Sequence, residues 1–331
     1  MSHWFQRVST LFGARPLPPA ARPAAAPAPA RAMPTRAANP QAAPPPAAEP
    51  EAGAAPDLQQ PFFEWLLDTG PAALAPLSPA ERRLLARLDA VLASDTSRTE
   101  LLPRAPAVIP QLLNSLRDES QSSDALARRV AKDPHLVAEV IRLANGALTR
   151  AAAPVTDLPQ AIARLGTEGL RRVIARVVLK PLFDAQADTL SARAAPKLWL
   201  HSEAQAAECM KRAAAAGLDP FEGYLAGLMH NIGWTAALRV LDRAEGGTPG
   251  SFSREFVQAF ESRRGLFFAL LVMPWQLTES LTALAVEMLD CGLAATTSPL
   301  GQALHAADRS AALAMLGASV VEAPIEIIVS A

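Results

Sequence analysis

The sequence predicts an all-α protein, and three observations carry this prediction. Helix-start signals are frequent, with a capping residue before or next to a proline at Ser78, Asp133 and Asp157. The alternation of apolar and polar residues expected of half-buried strands is nearly absent from residue 58 to residue 310. The chain is 50% hydrophobic but only 5% aromatic, since Leu, Val, Ile and Ala dominate. We therefore expect one bundle of short, capped helices.

Residues 13–57 differ from the rest of the 331-residue chain, because Ala and Pro dominate there and large aliphatic side chains are almost absent. Such a segment cannot bury enough apolar surface to offset its ordering entropy. It is predicted to be a disordered linker, and the folded part of the chain to begin near residue 58.

The first twelve residues carry an apolar pattern of their own. Five side chains recur at the spacing of one helix face: Trp4, Phe5, Val8, Leu11 and Phe12. A helix this short is marginal alone and needs a partner. Two interpretations stay open. Residues 1–12 form either an anchor for peripheral contact with a membrane or a protein groove, or a frayed terminus.

Residues 58–100 predict a helical extension. Residues 61–67 read PFFEWLL, and Ser78 and Glu81 have the spacing of a capping box at the start of a second helix. The apolar positions of that helix follow a helical period, so we expect it to dock on the domain behind it. Residues 311–331 are predicted to be a C-terminal tail.

Charge and cysteine content bound the function. With 31 basic and 32 acidic residues the chain has no global field to hold a polyanion, which disfavours specific nucleic-acid binding. Two cysteines, Cys209 and Cys291, cannot build a disulfide framework and indicate a reducing compartment. There is neither an apolar run of about 18 residues nor a signal-peptide core. The predicted location is the cytoplasm.

Several segments from residue 101 to residue 310 resemble one known family, the HDOD domain. In chain order they are LLPRAPAVIP at 101–110, AKDPHL at 131–136, IRLANGA at 141–147, PV at 154–155, QAIARLG at 160–166, LWLHS at 198–202, YLAGLMHNIG at 224–233, WQL at 275–277 and AADR at 306–309. The resemblance implies a multi-helix bundle related to the HD-domain phosphohydrolases. It also implies a bacterial, non-catalytic signalling role without a cofactor. The partner would be a protein of a signalling pathway, linked to cyclic dinucleotides or to two-component systems.

The same resemblance identifies the residues at a former metal site. HD phosphohydrolases hold one or two divalent metals with His, then His-Asp, then a distant Asp. Here His201, His230 and Asp308 occupy the matching positions, but Asn231 replaces the central aspartate. An amide oxygen brings no negative charge, so a hard cation is held less firmly. Histidines that HD and many HDOD sequences carry are also absent from 255–275 and 282–287. We therefore predict no metal and no enzymatic activity.

Two structural arrangements are open for these four residues. In the preferred one, His201, His230, Asn231 and Asp308 form a remnant polar cluster. In the other, each is satisfied locally, with His201 packed beneath Trp199.

Three functions follow. The preferred one is a non-catalytic signal-transduction or scaffold protein that acts by protein–protein interaction. The first alternative is a metal-dependent phosphodiesterase with a depleted site. The second is a DNA-binding regulator, since residues 123–142 are spaced like a helix-turn-helix and a basic segment spans 164–180. A solvated helix face explains such charges more simply.

Overall fold

The computed structural model describes residues 57–101, 113, 127–128, 130–146, 154–186, 188–244 and 250–322. The predicted anchor at residues 1–12 lies outside these ranges, and so does the predicted linker apart from Asp57. The last part of the predicted tail, from residue 323, is also outside them.

The regular structure of the described residues is helical, which confirms the all-α prediction. In chain order the helices are α1 (Gln59–Leu67), α2 (Pro79–Leu92), α3 (Asp95–Thr99), α4 (Pro134–Ala144), α5 (Leu158–Leu179), α6 (Leu190–Ala215), α7 (Pro220–His230), α8 (Ile232–Asp242), α9 (Arg254–Val272), α10 (Glu279–Cys291) and α11 (Pro299–Glu322). Within the described ranges the extended pairing is limited to one isolated bridge between Ala73 and Ser253. Apart from Asp57, these residues belong to one compact unit.

The helices begin where the sequence signals place them. Ser78 and Glu81 form the capping box of α2, with the Ser78 N–H donating to Glu81 Oε2 at 2.7 Å. Asp133 and Asp157 accept backbone N–H bonds at the starts of α4 and α5. Such caps are each worth about 1 kcal/mol. Helix α5 is interrupted at Gly166, whose φ of 67° only glycine adopts at little cost.

Helix α6 is the centre of the second half of the bundle, where it packs against α7, α8 and α11. The approach of α7 is close because Gly227 faces it. A Cβ at Gly227 would lie 2.6 Å from Cα of Ala206. The end of α7 is thereby brought against the middle of α6. Helix α7 ends at His230, and Asn231 is its C-cap.

The helical extension is part of the core. Helix α1 packs against α6, α9 and α11, and α2 packs against α8 and α9. Four apolar side chains of α1 are buried: Phe62, Phe63, Leu66 and Leu67. Burying each contributes about 1.5–3 kcal/mol. Lys197 Nζ, from α6, donates to the Trp65 carbonyl and to Asp68 Oδ1, both at 2.6 Å.

The last helix is longer than the sequence suggests. Helix α11 continues to residue 322, whereas we placed the end of the domain at residue 310. Its start is fixed by Glu287, whose carboxylate accepts bonds from Thr297 and Ser298. These bonds, with the Ser298 hydroxyl first, lower the pKa of Glu287 to about 2. Asp308 therefore sits on a helix with an anchored start.

The roles of the two cysteines follow from their exposure. Both cysteines are free, Cys291 exposed and Cys209 buried. Burial raises the pKa of the Cys209 thiol to about 12, so it is a core residue rather than a nucleophile. None of the helices in the described ranges combines the length and apolar character needed to span a membrane.

Candidate functional site

His201 and Asn231 meet where α6 crosses the end of α7. Asn231 Nδ2 donates to His201 Nδ1 at 2.8 Å and to Ser202 Oγ at 2.9 Å. Because Nδ1 is the acceptor, the neutral His201 ring carries its proton on Nε2. Burial lowers the pKa of His201 to about 4, although the charge of Asp308 opposes this effect. The ring is therefore neutral at pH 7 and offers an N–H at Nε2.

Asp308 is the point where both imidazoles meet. Its Oδ1 lies 3.4 Å from His230 Nδ1 and 4.0 Å from His201 Nε2. Gln205 Nε2 donates to the same oxygen at 3.1 Å. Burial alone would raise the pKa of Asp308, but the hydrogen bond with His230 and the charge of Arg264 hold it well below its usual range. Asp308 is thus an anion in the folded protein.

Arg264 of α9 completes the site. Its Nη1 lies 3.2 Å from His230 Nε2 and its Nη2 lies 3.8 Å from Asp308 Oδ2. Its Nε donates to Glu261 Oε1 at 2.8 Å, and the guanidinium lies over the Trp234 ring at 5.4 Å. A guanidinium can only donate, so His230 Nε2 is an acceptor that this bond occupies. Burial disfavours the charged form, but Glu261 and Asp308 raise the pKa of Arg264.

These contacts join six residues, which we call the His230 cluster. They are His201, Gln205, His230, Asn231, Arg264 and Asp308.

The His230 cluster is enclosed by aromatic rings. The Phe62 ring centroid lies 4.6 Å from that of His201, and the Phe268 centroid lies 5.4 Å from that of His230. Each imidazole is 1% exposed. Asp308 is the member that reaches solvent, with 20% of its side chain exposed. Phe62 belongs to α1, so the helical extension covers the site.

The donor set of the cluster does not fit a divalent metal. Within the described residues, no group of three or more His, Cys, Asp or Glu is arranged to hold a metal ion. Three buried atoms lack a protein hydrogen-bond partner there: His201 Nε2, Gln205 Oε1 and Asn231 Oδ1. The first is a donor and the others are acceptors. The N–H at His201 Nε2 can donate to a water molecule, whereas it cannot ligate a metal.

The charges around the site also disfavour a divalent metal. A dication about 4 Å from the Arg264 guanidinium would be repelled by about 8 kcal/mol at an effective dielectric constant of about 20. The carboxylate that would offset two positive charges is missing, because an amide stands at Asn231. The charges present therefore disfavour a divalent cation at this position.

The four residues identified by the sequence lie together in the fold. His201 contacts Asn231, and Asp308 lies near both His230 and His201. In the alternative, His201 packs beneath Trp199; the structure shows a contact of His201 with another aromatic residue. The His201 ring faces Phe62, because the hydrogen bond from Asn231 turns it toward the end of α7.

Three residues at the site were not predicted from the sequence. Gln205 lies one helical turn after His201, a spacing that places both on one face of α6. Arg264 follows Phe260 by four residues and precedes Phe268 by four, so the apolar periodicity of α9 places it on the buried face. For Phe62 the sequence offered no signal, since nothing local predicts where α1 docks.

The basic segment of the DNA-binding alternative is committed to contacts within the bundle. Arg171 is buried, and its Nη1 donates to Glu168 at 2.5 Å. Arg176 forms ion pairs with Glu139 and Glu203. Most of the segment resembling a helix-turn-helix lies outside the described residues. Within the described ranges, no observation favours a nucleic-acid interface.

His201, His230, Asn231 and Asp308 thus form a largely buried polar cluster in this helical bundle. Residues 102–248 match the family model of the HDOD domain, which confirms the predicted resemblance over that part of the chain. The match begins at Leu102, next to the predicted start at residue 101, and ends before Arg264 and Asp308. No curated protein matches the chain.

One solved structure with a TM-score above 0.5 shows the same fold, and two further ones are similar to this chain. One, provisionally assigned as a metal-dependent phosphohydrolase from Shewanella amazonensis SB2B, is 21% identical, with a TM-score of 0.51 over 74% of this chain and 90% of that chain. An HDOD domain protein of unknown function from Geobacter sulfurreducens is 22% identical, with a TM-score of 0.49 over 69% and 78%. A signal transduction protein, also provisionally assigned, from Marinobacter aquaeolei VT8 is 18% identical, with a TM-score of 0.47 over 72% and 58%.

Proposed function

We propose that this protein is a non-catalytic signalling protein that acts through protein–protein contacts of a degenerate HD-like helical domain. The observation that carries the proposal is the hydrogen bond from Asn231 Nδ2 to His201 Nδ1 at 2.8 Å. It turns the atom that would ligate a metal, His201 Nε2, into an N–H donor.

Hydrolysis of a phosphodiester in an HD-type site needs a metal-bound water and room for the substrate phosphate. The first requirement conflicts with the proton on His201 Nε2. The second conflicts with the packing of Phe62 against His201, since α1 covers the site from the side of α6. These two contacts support a binding role without turnover.

Its partner in this proposal is a protein of a signalling pathway linked to cyclic dinucleotides or two-component regulation. The HDOD domain supports this assignment. The near balance of 31 basic and 32 acidic residues favours a protein surface over a polyanion.

Turnover of bis(p-nitrophenyl) phosphate with Mn²⁺ tests the catalytic half of the proposal. We expect the wild-type protein and the His230→Ala variant to show the same background rate. A wild-type rate well above buffer that His230→Ala abolishes would establish the phosphodiesterase alternative instead.

A pull-down from the native cell tests the partner half, with the full chain beside a version that lacks residues 1–57. A signalling protein retained by both forms supports an interaction through the helical domain. A partner retained by the full chain alone would assign the contact to the N-terminal residues. Retention of nucleic acid in place of protein would contradict the proposal.

A further inference from the structure

We infer that the guanidinium of Arg264 takes the place of a metal cation in this HD-like fold, so that a side chain of the protein itself holds the His230 cluster together. The inference rests on the proposed non-catalytic function and deepens it, because it states what occupies the centre of the former site.

Arg264 makes the contacts expected of a bound cation. It reaches the imidazole nitrogen of His230 on one helix, α7, and the carboxylate of Asp308 on another, α11. A nitrogen and an oxygen ligand from separate elements are what a divalent ion would join in an HD-type site. Because the guanidinium has five N–H donors in a fixed plane, one side chain can serve both ligands.

Neighbouring residues hold the side chain of Arg264 in place. Glu261, one turn earlier on α9, accepts from Nε at 2.8 Å and also pairs with Nη2. The Trp234 ring lies beneath the guanidinium. Gly233 allows the backbone of α9 to come near, since a Cβ there would lie 2.2 Å from the Arg264 carbonyl oxygen. Three residues on two helices, α8 and α9, thus position one cation.

The neighbouring arginine provides a matched comparison. Arg263 has the same side chain but lies on the outer face of α9, where it pairs with Asp89 at 2.7 Å. It is 23% exposed, against 8% for Arg264. Removing either charge changes the net charge equally, so only position distinguishes the two.

The experiment measures Mn²⁺ stabilisation of the full-length chain by thermal unfolding. Four proteins are compared: wild type, Arg263→Met, Arg264→Met and the double variant Asn231→Asp/Arg264→Met. We expect Arg264→Met to lower Tm by about 10 °C, since it leaves buried groups without their cation. We expect Mn²⁺ to raise the Tm of the double variant by at least about 5 °C. Wild type and Arg263→Met should not respond.

Two outcomes would overturn the inference. One is a Mn²⁺ shift in wild type as large as that in the double variant. The other is the lack of any Mn²⁺ response in both Arg264 variants. If Arg264→Met does not fold, the histidine signals of wild type in NMR decide. Broadening of His201 and His230 by dilute Mn²⁺ contradicts the inference, and unchanged signals support it.

Failure here is separable from failure of the proposed function. A wild-type protein that binds Mn²⁺ without hydrolysing bis(p-nitrophenyl) phosphate contradicts the role of Arg264 but leaves the non-catalytic role intact. Binding with turnover contradicts both.

Discussion

Two arginines of this bundle lie over tryptophan rings and between carboxylates, yet their surroundings differ. Arg264 lies 5.4 Å from the Trp234 ring centroid, and Arg176 lies 5.9 Å from that of Trp199. Arg264 is 8% exposed and contacts an imidazole. Arg176, between α4, α5 and α6, is 18% exposed, and its partners Glu139 and Glu203 are about a quarter exposed.

The difference shows what burial does to the same pairing. The guanidinium of Arg176 is more exposed than that of Arg264, 18% against 8%, while the carboxylates around both arginines are a fifth to a quarter exposed. The ion pairs with Glu139 and Glu203 are therefore expected to contribute modestly to stability. Around Arg264, protein groups balance the charges, so removing one partner leaves the others largely buried without a counter-charge. The His230 cluster is therefore a sensitive point of the fold, whereas the Arg176 region tolerates change.

The largest expected effect separates these two arginines. Arg264→Met should lower the free energy of unfolding by about 3–5 kcal/mol, since Asp308 and Glu261 lose a buried cation. Arg176→Met should lower it by about 1 kcal/mol, because its partners remain hydrated. Urea unfolding at pH 7 measures both. Equal losses would remove the distinction between the two regions.

The second effect is the pH dependence of stability that His201 creates. Its pKa is about 4 in the folded protein and about 6.5 in the unfolded chain. Between these values the unfolded ring binds a proton and the folded ring does not. Stability is thus at its full value above about pH 6.5 and declines as the pH falls to about 4. The loss is about 3 kcal/mol.

Urea unfolding of wild type and His201→Gln across this window checks the assignment. The variant should lose most of the slope. His135→Gln, at an exposed position of α4, serves as the control and should keep it. A slope that persists unchanged in His201→Gln would assign the titration to another group. Asp308, whose pKa is lowered in the folded protein, adds a further loss below about pH 4.

A smaller effect tests the packing around Arg264 without changing its charge. Gly233→Ala should destabilise the protein by about 1–3 kcal/mol, because the new Cβ would overlap the Arg264 carbonyl oxygen. Gly265→Ala, the next position of α9, meets its nearest atom at 3.9 Å. It should stabilise α9 by about 0.5–1 kcal/mol. Opposite signs in thermal unfolding are expected, and a neutral Gly233→Ala would show that α9 is free to shift.

Much of the fold was predictable because its signals are local. The cap at Ser78, the Asp133 and Asp157 starts and the end of α7 at His230 each depend on a few adjacent residues. The end of α11 was not, since Ala and Leu past residue 310 suit a helix and a tail equally well.

The site was predictable in part for a different reason. The four residues at the positions that match HD metal ligands were found through the resemblance, not through their spacing, because they come from three distant helices. The role of Arg264 depends on its distance to His230, which only the folded chain shows. Helical phase distinguishes Arg264 from Arg263, but it does not say which polar group lies opposite.

The most direct test of the account is a crystal structure of the full chain grown with Mn²⁺, with anomalous data collected for manganese. The account predicts the Arg264 guanidinium within hydrogen-bond distance of His230 Nε2, with no anomalous peak in the His230 cluster. A manganese peak bound by His201, His230 and Asp308, with Arg264 displaced from them, would contradict it.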